Sequence, residues 1–255
     1  MAQAVCTLTV SINCRFNAIY TLLGVCKIKK IRKEIFKINI MKIAVITYDV
    51  PHKKTQDILL RLIGKDVTVI AMPFKERKQI NNLYWHRPNM NSSVSTIDLC
   101  RCFGFKYTES TEPHEIIKNL DVGLIGGCGL ISVGNSKIIN SHPAYLPFCR
   151  GLDALKWAIY KGEPIGVTTH VINSEIDSGY LIEQEFINIG FYDSFHSVCL
   201  RQYEKEVEMI IRAIDKPVGR KICNKHHVPN KRMPIELEPI MMERFNNLRR
   251  NSKQF

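Results

Sequence analysis

Asn140-Ser141-His142-Pro143-Ala144-Tyr145-Leu146-Pro147 is the stretch on which the reading of this chain turns. In an extended strand, residues two apart share a face, so Asn140 and His142 project together while Ser141 points away. Pro143 cannot donate to a sheet ladder and Pro147 follows shortly after it, so the strand stops at His142 and the chain enters a constrained loop. An amide and an imidazole therefore sit at the carboxyl end of a strand, the place where open α/β sheets put their ligands.

Working outward, short β-rich runs alternate with helical stretches, as in a parallel sheet with crossover helices. Upstream, the pattern predicts a buried strand over 42–48 and a helix over 52–63, where Ile58, Leu59, Leu62 and Ile63 fall at helical spacing. A strand over 67–72 and a long polar loop over 74–96 follow. A helix near 96–103, a strand near 105–108 and a helix near 112–119 lead to a buried strand at Val122-Gly123-Leu124-Ile125. Gly126-Gly127-Cys128-Gly129 comes next, where small residues let a flat ligand approach the backbone, or simply make a tight turn. Downstream, a helix over Asp153 to Lys161 is stopped by Gly162, with Leu155, Ala158 and Ile159 on its apolar face and Trp157 assigned to the core. Strands over 164–171 and 180–189 flank a connection, Ile172 to Gly179, that carries Asp177. Alternation in Tyr180, Ile182, Gln184 and Phe186 suits a half-exposed edge. An amphipathic helix over 194–214 closes the pattern. The expected fold class is α/β, a Rossmann-like open sheet, mostly parallel, with helices on both faces.

The chain has 255 residues, 45% hydrophobic and 24% charged, which is ordinary for a globular protein. Its net charge of +12 would by itself suggest nucleic acid or an acidic membrane as partner, but the charge is confined to the ends. Residues 1–40 carry net +6, residues 41–214 net 0, and residues 215–255 net +6. The expected organisation is an irregular basic extension over 1–40, a catalytic domain over 41–214 and a basic tail over 215–255, with a short helix within Ile240 to Arg249. The nine cysteines are an odd number without disulfide or zinc-ribbon spacing, so a reducing cytoplasm is the expected compartment. Cys223 with His226 and His227 is read as a solvated stretch, and no metal is expected. No membrane-spanning run is expected either.

The ordered set N-x-H-P-x-x-L-P, then Arg150-Gly151, Trp157-Ala158-Ile159, Gly166-Val167-Thr168, His170 and Asp177-x-Gly179, resembles the 10-formyltetrahydrofolate-dependent formyltransferases. That family includes glycinamide ribonucleotide transformylase, methionyl-tRNA formyltransferase, nucleotide amino-sugar N-formyltransferases and formyltetrahydrofolate deformylases. The strong match covers about Val122 to Ile189. The resemblance implies 10-formyltetrahydrofolate as co-substrate, Asn140, His142 and Asp177 as catalytic residues, and Gly127, Cys128, Gly129, Leu130 and Ile131 as the folate-contacting segment. One departure is visible, since Asp49-Val50-Pro51-His52 stands where the purine-pathway transformylase has a glycine-containing phosphate loop.

Formyl transfer to an amine passes through a tetrahedral intermediate with charge on the former carbonyl oxygen, so donors must face that oxygen and an acceptor must take the amine proton. Asn140 and His142 can donate; Asp177 can stabilise an imidazolium and receive the proton directly or through water. Taken singly, His142 would read as a core histidine and Asp177 as a turn residue. Cys149 is not assigned as a nucleophile, His170 is read as structural, and Arg150 as a loop anchor or an acidic-ligand contact. The residues after 214 are too few for the RNA-binding domain that the resemblance implies for a tRNA enzyme, and residues 1–40 too few for a deformylase regulatory domain. The expected acceptor is a small primary amine, most specifically a nucleotide-linked amino sugar. The alternatives are phosphoribosylglycinamide, a tRNA-directed relative, an inactive relative, or a non-catalytic basic binding protein. No nucleic-acid partner is expected, and a homodimer is compatible with the sequence.

Overall fold

The computed structural model describes residues 40–75, 81–92, 94–134, 136–224 and 228–252. Residues 1–39, which hold the basic extension with Cys6, Cys14 and Cys26, lie outside them, as do His226 and His227. The compact unit considered below begins at Met41.

Seven strands form one sheet in the order β3-β2-β1-β4-β5-β6-β7. They are β1 (Lys42–Tyr48), β2 (Asp66–Met72), β3 (Lys106–Glu109), β4 (Val122–Ile125), β5 (Ile138–His142), β6 (Gly166–Val171) and β7 (Tyr180–Phe186). The first five are mutually parallel, while β6 runs antiparallel to β5 and β7 antiparallel to β6. The helices are α1 (Lys53–Arg61), α2 (Thr96–Phe103), α3 (Pro113–Ile117), α4 (Ala154–Lys161), α5 (Phe195–Arg212) and α6 (Glu238–Asn251). This is the mostly parallel α/β sheet expected from the sequence.

Alternation explains how β1 is buried on both faces. Ile43 and Val45 join a core under α1, α2 and α5, whereas Ala44 and Ile46 join a second core on the opposite face with Ile117 and Ile138. The α2 helix begins and ends where local chemistry dictates. The Ser95 side chain caps it by accepting from Asp98 N, and Gly104 ends it at φ 71°. At the sheet edge, β7 is half-exposed along most of its length, on both faces and without the alternation that its sequence suggests.

The division at residue 214 does not describe the packing. Met233, Met241 and Phe245 are buried in one core with Leu155 of α4, Val167 of β6 and Phe195, Val198, Cys199 and Met209 of α5. Lys156 of α4 and Glu238 of α6 form an ion pair with both side chains fully buried. The second Glu238 oxygen accepts from the backbone N–H groups of Leu83 and Tyr84 at 2.8 and 2.9 Å. The stretch read as a basic tail is therefore, over 228–252, part of the folded unit. Trp157, assigned to the core, is only half-buried and donates its indole N–H to Lys231 O at 2.7 Å.

Candidate functional site

The loop after β5 is fixed through its main-chain polar groups. Ser141 O accepts from Lys54 Nζ at 3.4 Å, Pro143 O from Gln202 Nε2 at 3.0 Å, and Ala144 O from Thr168 Oγ1 at 2.7 Å. Leu146 N donates to Thr168 Oγ1 at 2.9 Å and Leu146 O accepts from Gln184 Nε2 at 2.7 Å. Buried backbone groups need such partners, and here they come from α1, α5, β6 and β7, so four elements hold one loop. Lys54 is itself held at 2.6 Å by Glu206, whose other oxygen takes Arg87. Burial opposes the charge on Glu206, but the two cations outweigh it and keep the carboxyl below its ordinary range.

This frame leaves His142 only 6% exposed at the end of β5. Its Nδ1 lies 3.3 Å from Asp177 Oδ1, and its Nε2 lies 3.1 Å from Cys149 O. Both ring nitrogens thus face oxygens that can only accept. The other Asp177 oxygen, Oδ2, accepts from Gly151 N at 2.6 Å, so the carboxylate bridges the imidazole and the Arg150–Gly151 loop. Asp177 has φ 44°, a left-handed conformation uncommon for a residue with a Cβ. Gly179 follows, and a Cβ there would come within 2.0 Å of Val171 O, which is why a glycine closes this turn.

Asn140 is half-exposed on the His142 face, and its amide has no hydrogen-bond partner among the described residues. Directly across the ladder stands His170. Its Nδ1 is 2.7 Å from Ser178 O, so it steadies the residue after Asp177, while Nε2 has no partner among the described residues. Burial pushes the His170 imidazole down to about 4, with His142 acting in the same direction and Asp177 opposing, so the ring is neutral near pH 7. The structure thus brings Asn140, His142 and Asp177 together and adds His170 as a support.

Arg150 acts as a loop anchor. It is buried, and its Nε donates to Ile176 O at 3.0 Å, tying the β5–α4 loop to the turn that carries Asp177. Cys149 contributes its carbonyl to His142, while burial pushes its thiol up to about 12, far from a nucleophile's range. The Cys149 carbonyl is a site contact that the sequence could not reveal, because main-chain atoms carry no residue signature.

The Gly127–Ile131 segment leaves the end of β4, beside β5. A Cβ on Gly127 would meet the His52 ring at 2.7 Å, so this glycine serves packing, whereas Gly129 has open space around it. Cys128 and Ile131 pack against the same core as Ile172 at the start of the Asp177 turn, and Leu130 is 84% exposed. His52, pushed down to about 4 by burial and by Lys54 and Arg87, fills the end of α1. The first helical N–H, of Lys53, donates to Met90 O at 2.8 Å. The helix end that would cradle a phosphate is therefore occupied by the chain itself. Two surface cavities lie elsewhere. One of about 380 Å³ is lined by Asp49, Pro73 and Glu109, and one of about 750 Å³ lies between α4 and residues 228–234.

Residues 123–214 match the profile of the formyl transferase family. A dTDP-4-amino-4,6-dideoxyglucose formyltransferase from Mycobacterium tuberculosis is 30% identical over 105 residues, 40% of this chain and 45% of that protein. The chain thus spans under half the length of this curated relative. The sheet and helices resemble a sugar N-formyltransferase from a Shewanella species, at a TM-score of 0.54 and 16% identity over 81% of this chain and 88% of the other. They also resemble an N-formyltransferase from Helicobacter canadensis, solved with folinic acid and dTDP-3-aminofucose, at a TM-score of 0.54 and 18% identity over 74% of this chain and 70% of the other. The order of the motifs and the form of the sheet agree with the match over residues 123–214, so over that stretch the chain is similar to the formyl transferase family.

Proposed function

We propose that the protein moves the formyl group of 10-formyltetrahydrofolate to the primary amine of a small acceptor, and that this acceptor is a nucleotide-linked amino sugar. The observation that carries the reading is the Asp177 carboxylate set between His142 Nδ1 and Gly151 N–H, with the unpartnered Asn140 amide on the same face. Asn140 is the donor ready for the formyl oxygen. His142 Nε2 becomes a second donor once it exchanges the Cys149 carbonyl for that oxygen, a change of one hydrogen bond within a fixed ring position. Asp177 takes the proton that the attacking amine loses, directly or through water. The nitrogen of the folate leaves with the electron pair of the broken C–N bond and takes up the proton held by Asp177, directly or through water, so the carboxylate is restored and no covalent link to the protein forms. Alignment of amine and formyl carbon supplies much of the rate.

The segment from Gly127 to Ile131 fits a flat ring, because Gly129 leaves its backbone open and Leu130 offers an exposed apolar side chain beside it. The sugar acceptor is favoured by the names of the relatives and by the α1 end, where His52 and Met90 stand in the place of a phosphate cradle. A cytoplasmic location accords with this chemistry; among the described residues no helix is long and apolar enough to cross a membrane.

The test is release of tetrahydrofolate by the full chain, offered in turn a dTDP-linked 4-amino or 3-amino sugar, phosphoribosylglycinamide and methionyl-tRNA. Turnover with an amino sugar at least tenfold above the other acceptors supports the reading. A folded protein that releases tetrahydrofolate with none of them overturns it.

A further inference from the structure

The same residues that make 228–234 part of the fold also reach the candidate site. Asn230 N donates to Arg150 O at 2.8 Å, and Leu152 N donates to Asn230 O at 2.9 Å, so the two segments form a short parallel bridge around Gly151. The Asn230 side chain adds to it. Its Nδ2 donates to Arg150 O at 3.0 Å, and its Oδ1 accepts from Lys161 Nζ at 2.6 Å. On the opposite edge of the same three residues, Gly151 N donates to Asp177 Oδ2 at 2.6 Å and the Arg150 guanidinium holds Ile176 O. The Arg150–Leu152 segment is thus bonded to Asn230 on one side and to the Asp177 turn on the other. Gly151 must lack a side chain here, since its φ is 87° and a Cβ would lie 2.4 Å from Asn230 O.

From this arrangement we infer that Asn230 is a positioning residue: it fixes the height of the Gly151 N–H, which anchors Asp177 Oδ2 and so leaves Oδ1 directed at His142 Nδ1. Besides the His142 ring, no other donor to Asp177 is seen among the described residues, so the carboxylate has one backbone anchor and that anchor is set by Asn230. The consequence for turnover rests on the formyl-transfer reading above, while the structural coupling does not.

The experiment compares the full chain with Asn230→Ala and Asn230→Asp. The first keeps both backbone bonds and loses both side-chain bonds; the second keeps the Lys161 partner and loses only the donor to Arg150 O. Hydrogen exchange at the Gly151 amide should become roughly tenfold faster in both, as expected for one lost hydrogen bond, with the amides of β1 and β4 unchanged. With an acceptor that supports turnover, kcat should fall about tenfold or more while KM for the acceptor moves less than threefold. Unchanged exchange at Gly151 in a folded variant overturns the inference, as does faster exchange with unaltered kcat. If Asn230→Ala does not fold, the Asn230→Asp comparison decides by the same two readouts. A parent protein without turnover would sink the formyl-transfer reading and leave the exchange measurement to judge the coupling.

Discussion

Lys156 and Glu238, 82 residues apart in the chain, are joined Nζ to Oε1 with neither side chain exposed to solvent. The pair links α4, the helix that follows the candidate site, to α6, the last helix of the C-terminal segment. Burying two charges is costly, and the arrangement holds because Asn82 Oδ1 takes a second Lys156 proton at 3.3 Å and two backbone N–H groups satisfy Glu238. Removing one partner leaves the other charged and unpaired. Lys156→Met alone should cost about 3 to 5 kcal/mol in urea unfolding, and Glu238→Leu should cost at least as much because it also strands two N–H groups. Losses below about 1 kcal/mol would show that water reaches the pair.

The same packing predicts that residues 41–214 do not fold as a fragment. Without Met233, Met241 and Phe245, the apolar faces of α4 and α5 are left in water. A 41–252 fragment should give a cooperative melt, and 41–214 should give none by near-ultraviolet circular dichroism. A sharp transition in the shorter fragment would contradict the assignment of the C-terminal helix to the core.

Gly151 and Gly162 both have positive φ, at 87° and 71°, but only Gly151 has backbone atoms where a Cβ would go. Gly162→Ala should cost about 1 kcal/mol, the penalty of a left-handed alanine at a helix end. Gly151→Ala should cost clearly more, and should lower turnover besides, because the Asn230 bridge must open. Equal melting temperatures for the two variants would refute the crowding argument.

Asn140→Ala, His142→Ala and Asp177→Ala should each lower kcat by about a hundredfold or more, the scale of a lost oxyanion donor or general base. Folate affinity, read by fluorescence quenching, should change little. Unfolding in all three would assign them structural roles instead.

Acid should weaken the fold in a defined window. Burial lowers His52 to about 4, His86 to about 3 and His170 to about 4, so the native state keeps these rings neutral while the unfolded chain protonates them below about 6.5. The unfolded state then binds more protons, and stability falls as pH drops from about 6.5 toward about 4, by up to roughly 1.4 kcal/mol per unit for each ring. Because His86 is neutral, its 3.7 Å approach to Asp153 is not an ion pair. Urea midpoints at pH 7, 6, 5 and 4 test this, and His170→Gln should flatten the profile. A midpoint constant across that range would rule it out.

Much of the architecture is legible in the chain because it is locally encoded. The helix over Thr96–Phe103 follows from the Ser95 cap and Gly104, and the near-continuous apolar run of 42–48 prescribes a strand with two buried faces. The pairing of Asn140 with His142 also follows from strand periodicity and two prolines. The meeting of Asp177 with His142 is implied only by the resemblance and not by local pattern, since that contact depends on a left-handed residue in a turn 35 positions later.

The C-terminal segment is where reading by pattern fails. Four prolines and a net charge of +6 over residues 215–255 suggest a solvated tail, and one buried carboxylate looks like any other glutamate in a sequence. By itself the sequence determined the succession of strands and helices of a mostly parallel sheet, the Asn140–His142 pair at a strand end and the resemblance to formyl transferases, because periodicity, caps and motif spacing are properties of short stretches. Only the tertiary structure decided which oxygen of Asp177 faces the imidazole, that the Cys149 carbonyl holds its other edge, and that Asn230 braces the loop between them, because each depends on main-chain atoms brought together from distant positions.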